Sequence, residues 1–391
     1  MLLTLLAISF ATFAAISMRG IQIGTYAVNI KNVVDLFPGY IQLQREGYLK
    51  NPKIRLCFAL DTLLKKQIKS IPEIESYVPR ILADGLISYD DNSLGAIIYG
   101  INPQQEKTVT TFMDRIKDGR FFDSDTTNEV VVGYKLLENL KAKIGDEIIM
   151  LTQGYDGSLG NLKFKIIGTI KLGSPEFDAM GVFIGLKTAQ ELLSMPGKIH
   201  FVAFKLNNLD AIPQVQEELT KKIDNSELAV LSWEEVMPDY KQLIELDNIS
   251  GIMFLLILIV IVAFGILNTV LMSVTERFNE FGISLSIGMP QLKLVYLVLI
   301  ETLFITLLGI ALGNVIGWGI NYYILLNPIQ VGSEIGKIYE EYGFLPVIES
   351  SLNITIFIYS SISVLIISLI SCLYPVYKVY KLEPLKGIRY T

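Results

Sequence analysis

Ile249-Ser-Gly-Ile-Met-Phe-Leu-Leu-Ile-Leu-Ile-Val-Ile-Val-Ala-Phe-Gly-Ile-Leu-Asn-Thr-Val-Leu-Met-Ser-Val274 runs for 26 residues without a charged side chain. The hydrocarbon core of a bilayer is about 30 Å thick, and a helix needs about 20 apolar residues to cross it. Two more long apolar runs, Leu294–Leu326 and Asn353–Tyr377, follow, and a shorter one, Leu2–Met18, opens the chain. Between the first run and the second lies a long polar stretch with the alternation of a folded soluble domain. The fold class expected is membrane α-helical, with four transmembrane helices in a one-plus-three order and a large α+β extracytoplasmic domain between the first and second helices.

Composition agrees with a mixture of membrane and soluble parts. The 391 residues are 51% apolar and 18% charged, with mean hydropathy +0.46. The net charge is −6 and no long basic stretch occurs, so nucleic acid is not an expected partner. Cys57 lies in the polar stretch and Cys372 in the last apolar run, which is no disulfide framework. With His200 as the one histidine, sites that need two are excluded, HExxH among them.

Lys and Arg near the membrane ends set the orientation. The tail 378–391 carries Lys378, Lys381, Lys386 and Arg389 against Glu383, whereas the loop 327–352 carries Lys337 against Glu334, Glu340, Glu341 and Glu349. The tail is therefore expected in the cytoplasm and the loop outside. Counting back places 275–293 inside and the large domain outside. Arg19 points weakly the other way, and 275–293 is balanced. The first run lacks a basic n-region and a small-x-small cleavage site. Its apolar pattern continues through Ile21, Ile23, Tyr26, Val28 and Ile30, so it reads as a retained helix rather than a signal peptide.

The expected layout is helix one at 1–19, the outer domain at 20–248, helix two at 249–274, a cytoplasmic segment at 275–293, helix three at 294–326, an external loop at 327–352, helix four at 353–377 and a cytoplasmic tail at 378–391. Within the outer domain, one part is expected at about 20–113 and 205–248, with a β-rich part at about 114–204 inserted into it. Pro38-Gly39 should end an outward extension of the first helix. Trp233–Asp247 reads as a helix that runs into the second membrane helix, with Pro238 as a point where it could kink. Both ends of the outer domain would then join the membrane through helical stalks.

Catalytic motifs are missing. The nearest approach to a P-loop, Gly332-Ser-Glu-Ile-Gly336-Lys337, has the wrong spacing and Ile338 where Ser or Thr belongs. Gly157-Ser158-Leu159-Gly160 is a turn rather than a nucleophile elbow. His200 sits in an alternating strand and reads as structural, and Asp90-Asp91-Asn92 lacks the spacing of a calcium loop. No catalytic residue, metal or cofactor is expected in this chain.

Polar residues interrupt the membrane runs at Asn268, Glu301, Asn314 and Asn321. Glu301 lies about two turns from Lys293, so either a bond to a neighbouring helix or a direct role in transport fits it. Asparagines in such helices bond across to neighbours. Gly309, Gly313 and Gly317 form a small-residue stripe that admits another backbone, from this chain or a second copy. The segment Ser273-Val-Thr-Glu276-Arg277-Phe-Asn-Glu280-Phe281-Gly282-Ile-Ser-Leu-Ser-Ile-Gly288-Met-Pro290 is the most specific. As one helix it would put Glu276 and Glu280 on a shared face, with Arg277 beside Glu280. Gly282 and Gly288 would be points to bend or stop, and Pro290 a helix start. Such a helix suits the groove of a soluble partner, or it is an ordinary loop on the membrane surface.

The run S-x-x-E-R-x-x-E-F-G-x-x-x-S-I-G resembles the cytoplasmic coupling segment of MacB/FtsX-type ABC transporter permeases. Similar stretches are Leu3–Ile8, Gly39-Tyr-Ile-Gln-Leu-Gln44 with Gly47-Tyr48, Asp118-Gly119-Arg120-Phe121-Phe122, Asn128–Gly133, Ile144-Gly-Asp146, Glu301 and Pro384–Arg389. The Gly39–Gln44 and Gly47-Tyr48 stretches look most like the lipoprotein-releasing (LolC/LolE-type) permeases. The resemblance implies a porter-like outer domain with a β-rich insertion, two permease subunits, identical or paired, and a cytoplasmic ABC ATPase dimer that binds ATP and Mg. It implies that this ATPase engages Glu276, Arg277, Glu280, Phe281, Gly282 and Gly288. It further implies motion passed to the outer domain, release of lipoproteins from the inner membrane, and a periplasmic lipoprotein carrier. The loop Gly154–Gly160 is either an exposed candidate contact for such a carrier or an ordinary turn. MacB-like efflux of drug or peptide and FtsX-like activation of cell-wall hydrolases are the alternatives. Family members begin with a basic cytoplasmic segment, which is not seen ahead of Leu2.

Overall fold

The computed structural model describes residues 2–223, 225–332, 334, 336, 339 and 345–383. Expectations that fall on Lys337, Ile338, Glu340, Glu341 and the tail motif at 384–389 lie outside the described residues. The chain divides into two compact units, one of Asn29–Gln242 with Gly332–Pro346 and one of Met1–Val28, Leu243–Val331 and Val347–Thr391.

The first helix, α1 (Leu2–Leu36), is one unbroken element. It stops where expected: Gly39 takes φ +77° and its N–H donates to the Val34 carbonyl at 2.9 Å. A left-handed residue just past a helix end is the usual glycine stop. The outer unit continues with β1 (Ile41–Arg45), β2 (Phe58–Ala59), α2 (Thr62–Lys69) and the long β3 (Ile74–Tyr89). Asp61 caps α2 by accepting from the Leu64 N–H at 2.8 Å. Then come β4 (Asn92–Ile101), α3 (Pro103–Val109), β5 (Ile116–Gly119), β6 (Glu129–Gly133) and α4 (Tyr134–Leu140). After these follow β7 (Glu147–Gln153), β8 (Leu159–Ile170), α5 (Pro175–Met180), β9 (Gly181–Gly185) and α6 (Leu186–Leu192). The unit closes with β10 (Lys198–Ile199), β11 (Phe201–Leu206), α7 (Ile212–Lys222), β12 (Leu228–Ser232) and α8 (Trp233–Val236).

Pairing divides these strands into two sheets that share β3. Strands β12, β1, β11 and the first half of β3 lie side by side, all antiparallel, with Ile41 opposite both Ser232 and Phe204 and Val202 opposite Pro79. With α2 and α7 as crossovers this is a split βαβ plait. The second half of β3 pairs with β4 (Ile81 opposite Gly100) and with β7 (Leu86 opposite Leu151). Strand β4 runs parallel to β9, β9 antiparallel to β6, β6 parallel to β8, and β8 antiparallel to β7. The ring β3-β4-β9-β6-β8-β7 is therefore closed, and closure removes exposed edges. Fully buried Ile98, Val130, Ile148, Met150, Ile166 and Val182 belong to these strands.

This moves the expected seam. The β-rich part was expected at about 114–204, but the plait gives way to the barrel inside β3, after Arg80, and resumes at β11, from Phe201. A strand of 16 residues is long enough to serve two sheets, so no loop marks the change. The single histidine sits at the far seam. His200 is buried, stacked on Tyr48, accepts from the Leu82 N–H at Nδ1 (3.1 Å) and meets the Ile54 carbonyl through Nε2 (3.2 Å). One accepting and one donating nitrogen describe a neutral ring. Burial pushes its pKa down to about 4.

Arg80 marks the near seam. It is completely buried, donates through Nη1 to the Phe37 carbonyl just past α1, and forms a two-pronged pair with buried Glu106, with Nε to Oε2 at 3.1 Å. Its guanidinium lies 3.9 Å from the centre of the Phe37 ring. Phe37 in turn packs edge-on against Tyr99, Phe112 and Phe177.

The membrane unit contains α9 (Pro238–Glu276) from Leu243 onward, α10 (Phe278–Ser286), α11 (Gln291–Leu326), a short ladder of β13 (Ile329–Gln330) with β14 (Val347–Ile348), and α12 (Ile354–Tyr380). Among the described residues four helices, α1, α9, α11 and α12, are long and apolar enough to cross a bilayer. Pro238 does not kink a longer helix. Instead α8 ends at Met237 (φ −124°, ψ 65°) and Pro238 begins α9, where a missing N–H is no loss. From Pro238 to Glu276 the helix is unbroken.

Candidate coupling site

The segment between α9 and α11 is a helix–break–helix rather than one continuous helix. At Arg277 the backbone leaves the helical region (φ −99°, ψ 8°), and α10 starts at Phe278. Glu276 closes α9 while Glu280 stands in the first turn of α10, so the expected i,i+4 pairing on one helix is not what places them. Gly282 neither bends nor stops α10; it is buried mid-helix. Gly288 does end the segment, with φ +100°, and Pro290 caps α11.

One side of α10 is anchored. Phe278, Phe281 and Gly282 are buried, and the two rings join a core with Val270, Val274, Leu294, Val298, Val379 and Leu382. The other side faces outward. Glu276, Asn279 and Glu280 are exposed, Ile283 is 49% exposed and Ile287 83%. Glu280, Ile283 and Ile287 on α10, with Glu276 at the end of α9, leave charged and apolar surface exposed that a soluble partner can cover.

Arg277 and Glu301 are partners. Arg277 Nη1 donates to Glu301 Oε2 at 2.9 Å and Oε1 at 3.2 Å, and Nε donates to Glu280 Oε2 at 3.2 Å. The Phe281 ring lies 5.2 Å from the guanidinium. Burial works against the charge on Arg277, but the two carboxylates outweigh it and its pKa is raised. A small cavity of about 20 Å³ beside the pair, bounded by Thr4, Ser273 and Thr302, has room for one water. Arg277 therefore pins α10 to α11, and Glu301 serves a neighbouring helix rather than standing free in the membrane.

The glycine stripe meets this chain's own first helix. A Cβ at Gly309 would lie 2.8 Å from Ile8 Cγ2, one at Gly313 would lie 2.7 Å from the Ser9 carbonyl, and one at Gly317 would lie 3.0 Å from Ile16 Cγ2. The contact continues one turn further, where buried Asn321 donates to the Ile16 carbonyl at 3.2 Å. Four-residue steps on both helices, in the same direction, are the mark of close packing through small residues. On its other flank α11 bonds α12, Thr306 Oγ1 to Ser368 Oγ at 2.6 Å and Asn314 Nδ2 to Ser361 Oγ at 2.9 Å. Asn268 differs from Asn314 and Asn321, being exposed on α9.

Residues 1–222 match the model of the MacB-like periplasmic core domain, and residues 252–384 match the FtsX-like permease C-terminal model. The lipoprotein-releasing system transmembrane protein LolC of Neisseria meningitidis is 22% identical over 326 residues, covering 80% of this chain and 78% of that protein. A macrolide export ATP-binding/permease protein MacB of Rhodopseudomonas palustris is 19% identical over 339 residues, covering 82% of this chain but 50% of that protein. The chain thus spans about half the length of that MacB protein. Among solved structures, the periplasmic region of MacB from Actinobacillus actinomycetemcomitans aligns with 56% of this chain and 96% of that one, at 15% identity and TM-score 0.38. The matched models cover the outer domain and the last three membrane helices, and the chain belongs to the MacB/FtsX/LolC-type family of ABC transporter permeases, as a multi-pass membrane protein with a large extracellular domain.

Proposed function

We propose that this chain is the permease subunit of a transporter in the bacterial inner membrane that extracts lipoproteins and releases them on the periplasmic side. ATP hydrolysis takes place in a separate ABC ATPase dimer, which seats on Glu276 at the end of α9 and on the exposed face of α10 through Glu280. Arg277, Phe281 and Gly282 hold that helix against α9 and α11, and Gly288 frees the chain to enter α11. A push on α10 then reaches α9 and, through the glycine stripe, α1. Both helices are unbroken from the membrane unit into the outer unit, which makes them the transmission for mechanical work. A second permease subunit completes the assembly, and a periplasmic carrier takes the lipoprotein, with the Gly154–Gly160 tip of the β7–β8 hairpin as its candidate contact.

The observation that favours lipoproteins as cargo is the alignment with LolC, which spans most of both chains. The MacB relatives favour the second reading, export of a small molecule or peptide, over a shorter share of their length. Depleting the protein and fractionating membranes separates the two. Lipoproteins held back in the inner membrane are the expected result. Normal lipoprotein sorting, together with sensitivity to exported compounds, would instead support efflux.

A further inference from the structure

A cavity of about 350 Å³ opens within the membrane unit between α1, α9 and α12. Its polar wall is made by Arg19, Thr355, Tyr359, Ser360 and Ser363, and Ile23 and Leu255 are among its apolar walls. Two features show where it lies in the bilayer. Arg19 Nη1 donates to Asn248 Oδ1 at 2.9 Å, and Asn248 directly precedes the apolar run of α9. Thr355 and Tyr359 stand in the first two turns of α12, which starts at Ile354 on the extracellular side. The polar end is thus at headgroup level in the outer leaflet. Leu255 and Ser363 carry the cavity inward, by about 10–13 Å at 1.5 Å per residue.

The cavity contains polar groups that the chain does not satisfy. Arg19 is half-buried, and both of its hydrogen bonds use Nη1 and go to neutral amides, those of Gln22 and Asn248. Among the described residues no carboxylate forms an ion pair with Arg19, and its Nε and Nη2 have no hydrogen-bond partner. Ser360 is the second such group. It is only 6% exposed, and among the described residues its hydroxyl has no partner. Other serines of α12 differ: Ser363 and Ser371 each donate to the carbonyl four residues back, at 2.8 Å. A half-buried guanidinium with free donors, lining the same cavity as a free hydroxyl at the level of lipid headgroups, calls for an anion with several acceptor oxygens.

We propose that this cavity binds the phosphodiester of an outer-leaflet phospholipid, with Arg19 on the phosphate, Ser360 donating beside it and an acyl chain following Ile23 and Leu255 inward. The lipid fills the gap between α1, α9 and α12 at their outer ends. The site is independent of which cargo the transporter moves.

The test uses the full chain in detergent, with dioleoyl phosphatidylglycerol as the probe and native mass spectrometry and lipid-induced thermal shift as readouts. Wild type should retain the lipid. Arg19→Gln should bind it at least tenfold more weakly and Ser360→Ala several-fold more weakly. Dioleoylglycerol, with the same chains and no phosphate, should bind wild type at least tenfold more weakly. Equal retention by wild type and a well-folded Arg19→Gln protein would overturn the proposal. So would dioleoylglycerol binding as tightly as the phospholipid, which would mark an acyl-chain site. Displacement by glycerol phosphate alone would reassign the cavity to a free phosphate. If Arg19→Gln fails to fold, Ser360→Ala and the two-lipid comparison on wild type decide.

Discussion

Arg277 Nη1 reaches Glu301 Oε2 at 2.9 Å, across 24 residues of sequence, and this bond ties the start of α10 to the third turn of α11. If the pair positions α10 rather than touching the ATPase, removing either member should loosen the helix without removing the contact surface. Glu301→Gln should therefore leave copurification with the ATPase largely intact while lowering permease-stimulated ATP turnover several-fold. The swapped double variant Arg277→Glu/Glu301→Arg should recover part of the loss. A double-mutant cycle on thermal stability should give a coupling of about 1 kcal/mol, because both side chains keep partial contact with solvent.

The stripe on α11 gives a prediction with its control in the same helix. A Cβ at Gly313 meets the Ser9 carbonyl and the Phe13 backbone nitrogen, neither of which can rotate away. Gly313→Ala should destabilise the membrane unit by about 1–3 kcal/mol, as overpacking does. Gly319 has no heavy atom near the position of an added Cβ. Gly319→Ala should be neutral, or stabilising by up to about 1 kcal/mol from helix propensity. Thermal melts of the two variants in one detergent check both.

His200 makes the outer unit sensitive to acid. Its ordinary pKa of 6.5 falls to about 4 in the folded chain because burial disfavours the charged ring. Above pH 6.5 both folded and unfolded forms are neutral and the group has no effect. As pH falls from about 6.5 to about 4 the unfolded chain takes up the proton first, so stability is lost across that window, on the order of 3 kcal/mol in all. Urea unfolding between pH 7 and pH 4 should show this loss, and His200→Phe should flatten it.

Arg80 and Glu106 form a fully buried pair, and leaving either one alone buries an uncompensated charge. Glu106→Ala should cost about 3–5 kcal/mol, whereas Arg80→Met/Glu106→Leu together should cost much less. Because Arg80 also donates to the Phe37 carbonyl just past α1, Glu106→Ala should expose that turn. Hydrogen exchange at Gly39 and Tyr40 reports it.

The membrane helices, the stop at Gly39 and the start at Pro290 were legible because each rests on local chemistry: apolar run length, a left-handed glycine, a proline without an N–H. The seam inside β3 was not, because one strand continues through it and the change is in its partners, which lie far away in sequence. The apolar flank of α10, Phe278, Phe281 and Leu285, was legible in its spacing, but the break at Arg277 was not, because no glycine or proline announces it. Glu301 stood out as a charge in an apolar helix, but its partner could be named only in three dimensions. Arg80 and Glu106 gave no signal, since two charged residues in polar segments look solvated until the fold buries them. Gly309, Gly313 and Gly317 announced a close approach, and the structure identified its occupant as Ile8, Ser9, Thr12 and Ile16 of α1.

The most direct measurement is copurification of the full-length permease with its Walker-motif ATPase, comparing wild type with Glu280→Arg and Glu276→Arg. Both side chains are exposed, so the variants should insert and melt as wild type does. Glu280→Arg should retain the ATPase at least tenfold more weakly, with a comparable loss of stimulated ATP turnover. Unchanged retention and turnover in both variants, with the protein folded and inserted, would contradict the assignment of α10 as the seat of the ATPase.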